Sequence, residues 1–271
     1  MMPAKWLRTI GIVAAALALL ILGASILLRL TTVFAVDGHA ISTLAPAVEI
    51  AIRLLHRVAA SSVGLLVILA VILCWFGRPQ LDKTTMTVVI WMLGATIVLA
   101  VVGPLTPGYR FLSVTIINVV GGMVLLMSCW WLSESLSAGL AQQSGRNSLV
   151  IAALIVLLVH IGSGAAASAQ AMHGVHSITF IHLGSAILTT MFVGAMLWAQ
   201  RGQRRVSRLF VMMALLLVAQ VALGLALKSI GEMPVWLKFV HAMFTPLLAI
   251  GLVSIAVRCA EEKHDHEKSP R

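Results

Sequence analysis

The chain has 271 residues, of which 60% are apolar and 10% are charged, and its mean hydropathy is +1.03. Because soluble domains carry about 25% charged residues, this composition predicts an integral membrane protein and argues against a soluble two-domain enzyme. The net charge is +10, and the basic residues fall mainly in loops on one side of the predicted spans. That distribution is typical of membrane topology and not of a nucleic-acid-binding surface. The three cysteines indicate small buried apolar residues, not a disulfide framework.

Eight apolar segments are each long enough to cross a bilayer as a helix, which needs about 20 residues. They cover residues 10–30, 50–76, 85–103, 112–132, 148–168, 177–199, 209–227 and 235–257. Basic residues precede the first segment, as they do in a signal peptide. Its apolar run is long, however, and no clear small-residue cleavage site ends it, so we expect an uncleaved helix.

Loop charges predict the orientation of these spans. Basic residues concentrate in the N-terminal segment, in the loops after spans two, four and six, and in the C-terminal tail. The positive-inside rule assigns that side to the cytoplasm, and an even number of spans brings both termini there. The predicted location is therefore the inner (plasma) membrane, as a multi-pass protein with cytoplasmic N and C termini.

Polar residues cluster at the start of the second span. Glu49 lies two helical turns before His56, about 10 Å along the axis at 1.5 Å per residue. A carboxylate near a histidine ligand is able to move protons, so Glu49 and His56 are candidate catalytic residues. Alternatively, Glu49 pairs with Arg53. Arg53 and Arg57 flank the histidine, where arginines either bind carboxylates such as haem propionates or extend to the lipid headgroups.

Histidines recur at matching places in the two halves. His182 and His241 open spans six and eight, whereas His56 and Asn118 open spans two and four. Ionisable residues inside a membrane are functional candidates, and imidazole is a common ligand of haem iron. The second half therefore predicts a haem b held by two histidines, with a metal-binding role for His56 in the first half. Asn118 is a poor iron ligand, and its alternative role is a hydrogen bond between helices.

This recurrence predicts an all-α fold of eight transmembrane helices, arranged as two similar four-helix bundles in parallel repeat. The N-terminal half covers 1–140, the C-terminal half covers 141–258, and a disordered cytoplasmic tail covers 259–271. The other histidines are expected to be packed or solvated; the alternatives are contact with a haem edge for those of span five and the outer loop, and weak metal binding for those of the tail. These other histidines are His39, His160 in span five, His173 and His176 in an outer loop, and His264 and His266 in the tail.

The chain resembles the heme A synthase family, whose members have eight transmembrane helices in two similar four-helix halves. The motifs that carry the resemblance are His-Arg at 56–57, Gly-Ser-Gly at 162–164, His182 early in span six, Gln220 with Leu223-Gly224, and Pro234-Val235-Trp236 before His241. The resemblance spans nearly the whole chain and is more specific in its second half.

The resemblance implies an oxidoreductase that converts a methyl group of heme O to a formyl group, giving heme A for terminal oxidase assembly. It implies that His182 and His241 ligate a haem b, and that His56, beside Arg57 and Asn118, binds the substrate or product haem. Heme O synthase and a terminal oxidase are then expected partners besides membrane lipid, with no nucleic acid. The sequence leaves a homo-oligomer open.

The chain departs from the family pattern in its first half. Arg53 stands where the family has Glu three residues before the first histidine, and Asn118 stands where it has a second histidine. The cysteine pair of the first outer loop is absent. Three other classes therefore stay open: a non-catalytic haem-binding or assembly protein, a membrane b-type cytochrome, and a small transporter. The absence of interrupted helices with paired polar residues disfavours the transporter.

Overall fold

The computed structural model describes residues 2–34, 40–77, 81, 83–105, 111–137, 148–171, 178–201, 207–229 and 234–268. The described residues form eight long helices: α1 Met2–Leu30, α2 Pro46–Gly77, α3 Lys83–Val102, α4 Leu112–Ser137, α5 Ser148–Ala171, α6 Thr179–Gln200, α7 Ser207–Ser229 and α8 Val235–Lys268. All eight are long and apolar enough to cross a membrane. The prediction of an all-α integral membrane protein with eight spans is therefore confirmed.

Two short strands join α1 to α2 and were not predicted from the sequence. β1 (Thr32–Phe34) and β2 (Ala40–Ser42) pair antiparallel. The Thr43 backbone N–H donates to the Thr31 carbonyl oxygen over 2.7 Å and closes the base of this hairpin. We call this side of the molecule the hairpin end.

Helix ends follow local chemistry as well as hydropathy. α2 begins at Pro46, four residues before the predicted span, because proline is favoured in the first turn of a helix. At the other extreme, the backbone of α8 continues to Lys268, into the segment predicted to be disordered. Residues 260–263 read Ala-Glu-Glu-Lys, which are strong helix formers and allow the helix to continue.

Each half of the chain forms a closed ring of four helices. In the first, α1 and α3 each pack against both α2 and α4; in the second, α5 and α7 each pack against both α6 and α8. The halves meet where α4 packs against α5 and α8, and where α1 packs against α8. The helix contacts of the second ring match those of the first when α1 to α4 are equated with α5 to α8, as a parallel repeat requires. The repeat itself stays a prediction, and the predicted boundary at residue 140 lies outside the described residues.

The interface of α1 with α4 and α8 forms the centre of the molecule. A Cβ atom added at Gly11 of α1 would lie 2.9 Å from the carbonyl oxygen of Cys129 on α4, so these two backbones touch. Trp130 of α4 donates its indole N–H to Ser254 Oγ of α8 over 2.7 Å. Cys74 and Cys129 are buried and form no disulfide among the described residues, and the Cys259 side chain lies outside the described residues.

The peripheral helices present apolar surface to their surroundings. α3 and α7 are the least buried of the eight, and α1, α5 and α8 are the most buried. Large apolar side chains are exposed on the outer helices, among them Phe76, Ile90, Trp91, Phe180 and Val218. In water this apolar surface would promote aggregation, whereas in a membrane the lipid chains cover it.

Candidate functional site

The four recurring positions, His56, Asn118, His182 and His241, all lie within the first three turns of helices that start at the hairpin end. His182 is in the first turn of α6, Asn118 and His241 are in the second turns of α4 and α8, and His56 is in the third turn of α2. All four side chains are half-buried. In the ring α5–α8, α6 and α8 occupy opposite corners, so His182 and His241 are carried by facing helices. The same relation holds for His56 on α2 and Asn118 on α4.

His182 is held tightly against α5. Its ring stacks on that of His160, with ring centroids 4.5 Å apart and an angle of 8° between the planes. Nδ1 of His182 lies 3.2 Å from Ser163 Oγ. A Cβ atom at Gly164 would lie 2.9 Å from Cε1 of His182, so only glycine leaves room for this imidazole.

Two serines connect these histidines into one group, which we call the α5–α6 cluster: His160, Ser163, His182 and Ser185. The two hydroxyl oxygens are 2.7 Å apart, and Ser185 Oγ lies 3.1 Å from Nδ1 of His160. Each serine also donates to the backbone carbonyl oxygen of the histidine three residues before it, over 2.8 Å.

The sequence analysis expected His160 to be packed or solvated, yet a repeated His-x-Gly-Ser pattern in the sequence indicates this cluster. Residues 160–163 read His-Ile-Gly-Ser and residues 182–185 read His-Leu-Gly-Ser. Histidine and serine three positions apart share one face of a helix. Because α5 and α6 are packed neighbours, the two copies meet face to face.

His241 occupies a comparable place between α7 and α8. A Cβ atom at Gly224 of α7 would lie 3.2 Å from Cε1 of His241, so glycine again makes room for the ring. Gln220, one turn earlier, donates from Nε2 to Thr245 Oγ1 of α8 over 3.1 Å. His241 is within electrostatic range of His182 and His160. His160 and His182 are in direct contact, and His241 lies on the opposite helix of the same four-helix ring.

Two buried polar atoms of this site make no hydrogen bond within the part of the chain that the structure describes. They are Nδ1 of His241 and Oε1 of Gln220. Buried polar atoms normally have hydrogen-bond partners, so these two atoms provide unsatisfied hydrogen-bonding capacity at the His241 imidazole.

In the first half, Glu49 is engaged with Arg53. Glu49 Oε1 accepts from Arg53 Nη2 over 2.6 Å and from Arg53 Nε over 2.7 Å. This is the alternative that the spacing of four residues indicates. Arg57 is exposed beside half-buried His56. The assignments of Glu49 and His56 to catalysis, and of Arg57 and Asn118 to cofactor binding, stay predictions.

Several histidines fall outside what the structure describes. His39, His173 and His176 lie in undescribed intervals, and the side chains of His264 and His266 are also outside the description. Among the described residues, no group of three or more histidine, cysteine or acidic side chains is arranged to hold a bare metal ion. An iron carried by haem needs fewer protein ligands, because the porphyrin itself occupies four positions.

No protein-family model matches the chain, and no curated protein is similar enough to match it. Function is therefore inferred from the residues of the site.

Proposed function

We propose that the chain is a haem-binding membrane oxidoreductase of the heme A synthase type, which converts heme O to heme A for terminal oxidase assembly. The observation that carries this proposal is the pair His182 and His241. They lie on helices at opposite corners of one four-helix ring, within electrostatic range of each other. Four-helix bundles commonly build cofactor sites from side chains on facing helices.

The residues of the second half fit a haem b. Each imidazole packs against a glycine of the preceding helix, Gly164 for His182 and Gly224 for His241, so both rings have defined places. Nδ1 of His241 is buried and makes no hydrogen bond among the described residues, so this imidazole has a polar nitrogen left to interact with a bound group. When bound, the haem would supply one-electron chemistry. The chain supplies two imidazoles and a buried, apolar surround.

At the matching positions the first half has one histidine, His56, where the second half has the pair His182 and His241. His56 would supply one imidazole to the substrate haem, and Arg57 would bind a propionate through its guanidinium. Glu49 would accept a proton only after it separates from Arg53, with which it forms a two-contact ion pair.

That ion pair favours a second candidate function, a non-catalytic haem-binding or assembly protein. In this alternative the second-half site is retained, whereas in the first half Glu49 is paired with Arg53 and Asn118 lies on the helix opposite that of His56. The two functions share the haem b site and differ in whether heme O is oxidised.

Two measurements test the proposal. The purified protein is expected to contain heme B, with a sharp reduced α-band that is lost in both His182→Ala and His241→Ala. An unchanged spectrum in both variants would reject the pair as iron ligands. Separately, cells that make heme O should accumulate heme A when they express this chain, and His56→Ala should stop that accumulation. Heme B without any heme A would select the non-catalytic alternative.

A further inference from the structure

In the α5–α6 cluster each histidine contacts the serine of the other helix, so the contacts are reciprocal. If His182 alone bound a haem iron, the matching contact at His160 would not be needed. Nδ1 of His182 faces Ser163 of the other helix at 3.2 Å, and Nδ1 of His160 faces Ser185 of the other helix at 3.1 Å. The two hydroxyl oxygens are 2.7 Å apart. Each half of the cluster thus repeats the contacts of the other.

The number of protons in the cluster favours one tautomer of the histidines. The cluster makes five hydrogen-bond contacts: one between the two hydroxyls, one from each hydroxyl to a backbone carbonyl oxygen, and one between each hydroxyl and an imidazole Nδ1. Each serine hydroxyl has one proton to donate, so the two serines serve at most two of these contacts. Hydrogen on both Nδ1 atoms serves two more. The tautomer that satisfies the most contacts therefore has hydrogen on Nδ1 and a lone pair on Nε2.

From this geometry we propose that Ser163 and Ser185 are positioning residues, which lock His182 in the Nδ1-protonated tautomer and present its Nε2 to iron. This inference rests on the proposed haem site. Histidines that bind metals usually donate their other ring N–H to an acceptor, which fixes the orientation of the ring and raises its basicity. Ser163 is that acceptor for His182.

His160 acts as the stacking partner and not as the ligand. Its side chain is 7% exposed, whereas His182 is half-buried and keeps surface that a haem can reach. The near-parallel stack at 4.5 Å restrains the plane of the His182 ring, and the Ser163 contact restrains its rotation within that plane. Together they leave His182 one orientation.

The test uses the full-length protein purified with its haem, and measures the electron paramagnetic resonance spectrum and the reduction potential. Ser163→Ala should retain haem, shift the largest g value and raise the potential, because an imidazole without an acceptor on Nδ1 is a weaker donor to ferric iron. Ser163→Thr, which keeps the hydroxyl, should restore both properties. Ser254→Ala is the matched control, because that hydroxyl is buried but bonds Trp130 instead.

A Ser163→Ala protein that binds haem with the wild-type spectrum and potential would overturn the inference while leaving the haem site intact. If Ser163→Ala does not fold, Ser163→Cys carries the same test, since it replaces the accepting hydroxyl at 3.2 Å from Nδ1 of His182 by a thiol, which is a weak acceptor. His160→Phe should keep six-coordinate iron, because it retains a stacking ring; conversion to five-coordinate iron would make His160 the ligand and reject the assignment. A wild-type protein that binds no haem would instead reject the proposed function.

Discussion

The histidine site depends on close packing of each imidazole against a glycine, Gly164 for His182 and Gly224 for His241. In Gly164→Ala the new methyl group would lie 2.9 Å from Cε1 of His182, closer than such carbons approach, so the ring must move. Overpacking of this kind costs about 1–3 kcal/mol. We expect haem affinity to fall by roughly 5- to 150-fold, at 1.4 kcal/mol per factor of ten.

Haem titration of the apo-protein, followed by absorbance, measures this effect. Gly184→Ala is the control, because a Cβ atom there meets nothing within 4 Å and the position lies two residues from the same histidine. Equal affinity of the two variants would show that the tight contact with Gly164 does not matter for the site.

In the proposed function, the residue opposite His56 would set the iron chemistry of the first half. If that half binds a haem, His56 supplies one imidazole and Asn118 supplies an amide, which is a poor iron ligand, so small ligands should reach the iron. Carbon monoxide added to the reduced protein should then shift part of the spectrum, and Asn118→His should suppress the shift. Two haems per chain with no response to carbon monoxide would mean that another residue completes the site.

At the scale of helices, α1 and α4 approach each other closely at Gly11. In Gly11→Ala the new Cβ atom would lie 2.9 Å from the carbonyl oxygen of Cys129 and 3.0 Å from the backbone nitrogen of Ser133. Neither atom can turn aside, since both belong to the α4 backbone. The helices must separate, and we expect a loss of about 1–3 kcal/mol in the free energy of unfolding.

Unfolding in detergent with a denaturing co-detergent measures that loss. Gly64→Ala on α2 is the control, because a Cβ atom there has open space, and alanine is the better helix former. A Gly11 variant as stable as the Gly64 variant would mean that the two helices are not in close contact.

For the whole molecule, the distribution of loop charges predicts cytoplasmic termini. In a Cys259→Ser background, Gln203→Cys tests the arginine-rich loop between α6 and α7, and Ser177→Cys tests the loop between α5 and α6. A membrane-impermeant thiol reagent added to intact cells should label position 177 and not position 203, because the positive-inside rule keeps the basic loop inside. The reverse labelling would invert the topology and place the histidine site at the cytoplasmic face.

Much of the architecture follows from the sequence because membrane spans need only length and apolarity. Eight apolar segments predicted eight helices, and the positions of His56, Asn118, His182 and His241 along them were readable directly. The hairpin between α1 and α2 was missed, since its strands are three residues each and lie beside a long apolar run. Pairing between such short segments depends on how the two helices bring them together.

The amino-acid sequence by itself determined the fold class, the number of spans and the end of the bundle where the histidines lie. Only the tertiary structure decided which of these residues touch. Several spans, α3, α4, α7 and α8, are almost equally apolar on all sides, so the sequence does not set their rotation about their own axes. Packing between helices sets it, and packing of α5 against α6 stacked His160 on His182 and aligned two His-x-Gly-Ser segments into one hydrogen-bonded cluster.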